Sequence, residues 1–249
     1  MSQDKTAPSN AQIHVIGGGT VCHVRSHLAI AATAYGQTAR VIHETLSKNG
    51  YPSTLHLTKM ASAGESNLET NEDVSNLIDQ LLDDPTTKVI VFNPAMADFK
   101  GQVGDVPSGK YATRLSSRES KDAKIELKMA DKVIGRIKEK RPDIIVVAFK
   151  TTTNEDAKIQ YQKGERLIKQ TDADIVLAND TGTRNNMVLF SPTPKTKNGL
   201  ETRPTIISQG SYRQDALATV CVGIEVLYDK QFKYQQSKPT KKPQKRLKL

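Results

Sequence analysis

The chain has 249 residues, 37% hydrophobic and 5% aromatic, with no tryptophan, two cysteines and a formal net charge of +9. That length suits one large α/β domain or a domain with an inserted arm. The scarcity of aromatic rings argues against a base-stacking nucleic-acid platform, no stretch approaches the roughly 20 apolar residues of a membrane span, and the polar first residues lack the apolar core of a secretory signal.

Cys22 and Cys221 lie far apart and fit no metal-ligand spacing, so a reduced, cytoplasmic protein is expected. The positive excess sits at one end. Lys233, Lys238, Lys241, Lys242, Lys245, Arg246 and Lys248 occur without an acidic neighbour in residues 233–249, and without these seven charges the net charge falls from +9 to +2. Residues 230–249 are expected to be a basic disordered tail, either solubilising or in weak contact with a polyanion. Residues 1–11 are expected to be disordered too, which leaves residues 12–229 as the folded unit.

That unit opens with Gln12-Ile-His-Val-Ile-Gly-Gly-Gly-Thr20, a buried strand followed by three glycines. Gly17, Gly18 and Gly19 let the backbone turn and approach a ligand closely, because no Cβ intervenes. An Ala-rich segment over residues 26–48 reads as the first helix. Strand, glycine turn and helix start together present N–H groups and a helix dipole to a phosphate, although the same pattern also serves as a plain tight turn. It is not the G-x-G-x-x-G dinucleotide fingerprint, since Thr20, Val21 and Cys22 follow the triplet.

Asn49-Gly-Tyr-Pro52 stops the helix. Residues 53–58 alternate as a second strand and residues 59–71 form a polar loop. Val74, Leu77, Ile78, Leu81 and Leu82 recur at helical spacing. Residues 88–93 read as a third, fully buried strand that runs into Pro94-Ala-Met-Ala-Asp98. Residues 99–130 break the rhythm with Gly101, Gly104, Pro107 and Gly109, and are expected to form a flap with a short hairpin. Residues 130–140 read as a helix, 143–149 as the fourth strand, and 154–170 as a helix capped near Asn154. Residues 174–178 give the fifth strand, 187–190 and 205–208 closing strands or a hairpin, and 211–228 the last helix.

The alternation predicts an α/β fold, a Rossmann-like parallel sheet covered by helices on both faces. In such sheets ligands bind at the carboxyl ends of the strands. Four of those ends carry unusual residues: the glycine triplet, residues 93–98, residues 149–153 and residues 179–184. Asp98 suits Mg²⁺ beside a phosphate or a ribose hydroxyl, and equally a turn cap. Lys150 suits phosphate neutralisation or a solvated loop. Asn179 suits paired hydrogen bonds to an amide-bearing ligand or an Asx turn, and Arg184 suits bidentate anion binding or plain exposure. The flap carries Lys110, Arg114, Arg118, Lys121, Lys124 and Lys128, which fit either a basic arm closing over a polyphosphate or a solvated charged loop. His23 and His27 have i,i+4 spacing but no H-E-x-x-H context.

In this order the motifs resemble the phosphopantothenoylcysteine synthetase family over roughly residues 12–228. The features are Val15-Ile-Gly-Gly-Gly-Thr20 with Val24-Arg25, Asn93-Pro-Ala-Met-Ala-Asp98-Phe99, Leu115-Ser116-Ser117, Ala148-Phe149-Lys150-Thr151-Thr152-Thr153, and Asp174-Ile-Val-Leu-Ala-Asn179 with Thr183-Arg184. The resemblance implies a homodimeric Rossmann-like ligase with a flap and no FMN. In that reaction the phosphopantothenate carboxylate attacks the α-phosphate of CTP or ATP, and cysteine then displaces the nucleotide. Carried over, Gly17, Gly18 and Gly19 with Ala34, Tyr35, Gly36, Gln37 and Ala95 would surround the nucleotide. Asp98 would serve the nucleotide and Mg²⁺, Phe149 would line the base pocket with Lys150 beside it, and Asn179 and Arg184 would shape the side for phosphopantothenate or another carboxylate.

The chain departs from the family pattern at three places. The position of the asparagine that serves the acyl intermediate falls on Ala29 or Ala32, the flap lysine is Arg114, and the F-K-L-E-T glutamate is Thr152. Arginine keeps the charge but not the compact point-charge behaviour of lysine. These departures leave open a non-catalytic or re-purposed nucleotide-binding homologue.

Overall fold

The structure is a computed structural model, and it describes residues 11–116, 118, 122–192 and 204–233. Its centre is a seven-stranded sheet in the order β11-β10-β9-β8-β5-β1-β4. The strands are β1 (Gln12–Gly19), β4 (Ser53–Leu57), β5 (Thr87–Ala95), β8 (Ile145–Thr152), β9 (Ile175–Asp180), β10 (Asn186–Phe190) and β11 (Thr205–Gly210). Five run parallel, from β4 through β1, β5 and β8 to β9. Strands β10 and β11 close the sheet antiparallel.

The period-two alternation of each strand divides its side chains between two cores. Ile13, Val15, Val89, Val91, Val147 and Leu177 face one side, where Ala39, Ile42 and Leu46 of α1 (Gln37–Lys48) and Val220 and Ile224 of α5 (Arg213–Tyr228) cover them. Ile16, Ile90, Phe92, Val146 and Val176 face the other. They pack on Val74, Ile78 and Leu81 of α2 (Asn71–Asp83), Ile137 of α3 (Gly135–Lys140) and Ile168 of α4 (Ala157–Thr171). Each fully buried aliphatic side chain contributes about 1.5–3 kcal/mol.

The helix ends follow from local chemistry. Thr70 and Asp73 form a reciprocal capping box at the start of α2. The cap of α4 is Asp156, whose carboxylate accepts from Ile159 N at 2.8 Å; Asn154, the expected cap, instead takes a left-handed φ of 55° just before it. The Tyr228 hydroxyl at the end of α5 donates to Ala11 O at 2.9 Å, which ties the last helix to the start of β1. Beyond it the chain makes a π-helical turn, Asp229–Lys233, with the Phe232 ring 5.3 Å from that of Tyr228.

Two further sequence expectations are corrected. The single helix over residues 26–48 is a hairpin of β2 (Val21–Arg25) and β3 (Leu28–Ala31) followed by the shorter α1. The alternating exposure of Leu28, Ala29, Ile30 and Ala31 shows period two, which the high alanine content disguised as helical. Nor do the three glycines make the turn. They are the last residues of β1, and the reversal comes at residues 32–36, where Gly36 adopts φ 74° before α1. Gly17 is needed because its Cα lies against α1: a Cβ there would sit 2.3 Å from Ala39 Cβ. The expected flap does contain a hairpin, β6 (Phe99–Gln102) with β7 (Glu126–Met129). Residues 1–10 and the tail from residue 234 lie outside the described residues.

Candidate functional site

The chain leaves β1 toward β4 on one side and then crosses to β5 on the other, so the carboxyl ends of β1 and β5 diverge from a topological switch point. A ligand crevice is expected there. The structure has a cleft of about 930 Å³ at that place, bounded by the ends of β1, β5, β8 and β9 and by the start of α1.

Ten of the residues expected to bind nucleotide or substrate line it: Gly18, Ala34, Tyr35, Gly36, Gln37, Ala95, Asp98, Phe149, Lys150 and Asn179. They are brought together from segments far apart in the chain. Gly17 and Gly19 lie in the same strand end without lining the cleft, and Arg114, exposed on the β6–β7 connection, does not line it either. Arg184 lines an adjoining pocket of about 550 Å³ that shares Asn179, Thr181 and Arg213 with the cleft. Of the two positions at which the resemblance could place an asparagine, Ala32 lines the cleft and Ala29 lies on β3, paired with His23.

The start of α1 has neither a side-chain cap nor an acidic residue in its first turn. Its terminal N–H groups and the positive end of its dipole therefore face the cleft without a side-chain acceptor. The end of β5 is fixed from the opposite wall. The Thr20 hydroxyl donates to Asn71 Oδ1 at 2.6 Å and accepts from Ala97 N at 2.9 Å, while Asn71 Nδ2 donates to Ala97 O at 2.8 Å. Asp98 follows directly. Its carboxylate is paired with Lys132, which also lines the cleft.

The β8 and β9 ends are joined through Asp180. Its buried carboxylate accepts six hydrogen bonds, from the backbone N–H groups of Asn154, Glu155, Gly182 and Thr183 and the hydroxyls of Thr152 and Thr183. Burial alone would raise the pKa of this carboxyl, but the donated hydrogen bonds from Thr183, Glu155 and Thr152 outweigh it and hold the group well below the usual carboxylate range. The Thr152 hydroxyl thus serves to bind Asp180.

The sequence reading missed Lys132 and Arg213. Lys132 lay in an expected helix that begins only at Gly135. Arg213 Nη2 donates to Thr38 Oγ1 at 2.8 Å, a partner 175 residues away, and no local pattern encodes that contact.

The fold and cleft define a doubly wound α/β protein with a crevice at its switch point, onto which the uncapped start of α1 opens. No protein-family model matches the sequence, and no curated protein matches it. Solved structures match it by shape. The DNA/pantothenate metabolism flavoprotein from Streptococcus pneumoniae superposes with a TM-score of 0.66 at 18% identity, covering 87% of this chain and 99% of that one. The C-terminal domain of the coenzyme A biosynthesis bifunctional protein CoaBC gives 0.58 at 12% identity, covering 88% and 96%. A Cab2 mutant in complex with phosphopantothenate-cysteine gives 0.57 at 15% identity, covering 92% and 89%. The chain shares the fold of these three structures. Among the described residues no helix is long and apolar enough to cross a membrane.

Proposed function

We propose that the protein is a nucleotide-dependent acid–amine ligase of the phosphopantothenate–cysteine type, acting in coenzyme A biosynthesis in the cytoplasm. The observation that carries this reading is the convergence of the uncapped α1 start, Asp98, Phe149, Lys150 and Asn179 on one cleft, in a fold whose solved examples include one bound to phosphopantothenate-cysteine.

In the reaction, the carboxylate oxygen of phosphopantothenate, or of a related acid, attacks the α-phosphate of CTP or ATP. The α–β anhydride bond breaks and pyrophosphate leaves. The amine of cysteine then attacks the acyl carbon, the bond from that carbon to the nucleotide phosphate breaks, and the amine loses a proton. Residues 34–37 at the α1 start hold phosphate oxygens through backbone N–H groups. Phe149 forms a face of the base pocket, Lys150 and Lys132 neutralise phosphate charge, and Asn179 and Arg184 shape the acid side. Arg114 supplies a cation from the flap when the flap closes.

Among the described residues no three His, Cys, Asp or Glu side chains cluster as a cation site. Two carboxylates line the cleft, Asp98 and Asp131, each paired with a lysine, and so sparse an acidic lining fits a Mg²⁺ held mainly by the nucleotide phosphates, as this ion commonly is. It would offset charge developing on those phosphates. The folded unit proposed is residues 12–229 with the flap at about 99–130. It works as a homodimer without FMN, and the basic tail makes at most weak contact with polyanions.

The test is pyrophosphate release with CTP and with ATP. Release should require phosphopantothenate and cysteine together, and its absence with every nucleotide overturns the reading. Ala32 in the cleft motivates a second reading, a non-catalytic nucleotide-binding homologue. Nucleotide-induced thermal stabilisation without turnover is the result that favours it.

A further inference from the structure

The connection between β6 and β7 lies off the cleft. Among the described residues none from 99 to 129 lines it. The connection is fastened instead to the β2–β3 hairpin and to the loop before α2. Ser26 N donates to Ala112 O at 3.0 Å, and Arg25 Nη2 donates to Val103 O. Between those two points, Lys110 is paired with the carboxylate of Glu69.

The backbone of Glu69 places it for this contact. Val21 N donates to Glu69 O at 3.0 Å, and Glu69 N donates to Asp73 Oδ2 at 3.0 Å, so the residue is fixed between β2 and the capping box of α2. Its side chain is 19% exposed and meets three groups that can carry positive charge: Lys110, Lys59 Nζ at 3.4 Å and His23 Nε2 at 3.6 Å. The hydrogen bond from Lys110 does most to lower the pKa of this carboxyl, against the opposing effect of burial. Lys59 and His23 belong to the loop and strand that carry Glu69, so the carboxylate keeps both when Lys110 departs. It is then not left as an uncompensated buried charge, the costly outcome of breaking an ion pair. Lys110 is itself 44% exposed and passes readily into water. The contact is therefore a reversible fastening, where a core ion pair would be permanent.

We propose that Glu69 is a latch that holds the flap off the cleft through Lys110, and that the flap closes over a bound nucleotide only when this ion pair opens. Closure rests on the ligase reading above, which assigns Arg114 to the closed flap. When the binding-competent form is only a fraction of the population, apparent affinity falls by that fraction. Glu69 thus tunes nucleotide affinity without touching the nucleotide. Glu72, three residues further on, is exposed in the first turn of α2 and provides a neighbouring acid of the same charge.

The experiment compares the full chain with Glu69→Gln, Lys110→Gln, Lys59→Gln and Glu72→Gln. The first readout is limited trypsin cleavage after Arg114 without nucleotide. The second is calorimetric titration of the parent, Glu69→Gln and Glu72→Gln with CTP and with ATP in the presence of Mg²⁺. Thermal melting checks that each variant is folded. Cleavage after Arg114 should be several-fold faster in Glu69→Gln and Lys110→Gln, and unchanged in Lys59→Gln and Glu72→Gln. Nucleotide affinity should rise about two- to fivefold in Glu69→Gln, the scale of one weak ion pair. It should stay at the parent value in Glu72→Gln, which removes the same charge without touching the flap. Parent-like cleavage in Glu69→Gln or Lys110→Gln overturns the latch. So does equally fast cleavage in Lys59→Gln, which would mark a general loosening of the loop. An affinity that is unchanged or lowered in Glu69→Gln, or raised equally in Glu72→Gln, overturns its control of the site. If no form binds either nucleotide, the ligase reading fails, and the cleavage rates still decide whether Glu69 holds the flap.

Discussion

The Thr20 hydroxyl donates to Asn71 Oδ1 across 2.6 Å, linking the residue after β1 to the first residue of α2. Ala97 N donates to both side chains, at 2.9 Å and 3.1 Å, so the three groups close a small network under the end of β5. Thr20 is fully buried. Thr20→Val keeps the shape and strands the partners, and should lower folding stability by about 1–3 kcal/mol. It should also weaken nucleotide binding, because Ala97 fixes the approach to Asp98. Urea unfolding and nucleotide titration check this, and unchanged values in both would show that the network positions nothing.

Gly17 and Ala39 set the distance between β1 and α1. In Gly17→Ala the new methyl would meet Ala39 Cβ at 2.3 Å, and α1 must move outward at a cost of about 1–3 kcal/mol. Adding Ala39→Gly removes the obstruction but weakens the helix by about 1 kcal/mol. The double variant should still be more stable than Gly17→Ala alone, and a double-mutant cycle by thermal unfolding measures the coupling.

Asp98 and Lys132 form an ion pair whose side chains are 65% and 68% exposed. Such a pair contributes little, so Asp98→Asn should change folding stability by less than about 1 kcal/mol. Its effect should appear instead in the Mg²⁺-dependent part of nucleotide binding. Thermal shifts with CTP or ATP, with and without Mg²⁺, separate the two. An equal loss in both conditions would assign Asp98 to the nucleotide alone.

His14 Nδ1 and His56 Nε2 lie 3.0 Å apart on adjacent strands β1 and β4. Burial, reinforced by the neighbouring His14, lowers the His56 pKa from 6.5 to about 4. Burial lowers that of His14 as well, against a smaller opposing effect of Asp84. The unfolded chain therefore takes up protons that the folded one refuses. The stabilisation is complete above pH 6.5 and is lost as the pH falls toward about 4. The melting temperature should decline over that window, and His56→Gln should flatten the decline. An unchanged pH profile in that variant would remove the pair as its source.

Much of the architecture was legible because each strand announces itself locally. The buried strands β5 and β8 contain continuous apolar runs, and α2 carries its apolar residues at helical spacing. The segment between β1 and α1 was not. Its alanines suit a helix in isolation, but pairing of Val21–Arg25 with Leu28–Ala31 and packing of Ile30 near Gly101 outweigh that weak propensity. The cap of α4 moved from Asn154 to Asp156 because Asn154 N donates to Asp180, a contact between the loop before α4 and the end of β9, 26 residues apart.

The sequence by itself determined the α/β class, the parallel core and the strand ends at which polar groups collect. Those properties rest on periods of two and 3.6 residues and on local stop signals, all readable along the chain. The tertiary structure decided which of those polar groups share a cavity. It brought Asp98, Phe149, Lys150 and Asn179 to one cleft, left Arg114 outside it, and set Arg184 in a second pocket beside an unforeseen Arg213. The difference is physical. Local pattern reports which face of an element is buried, whereas the meeting of residues 38 and 213 depends on how α1 and α5 pack over the same face of the sheet.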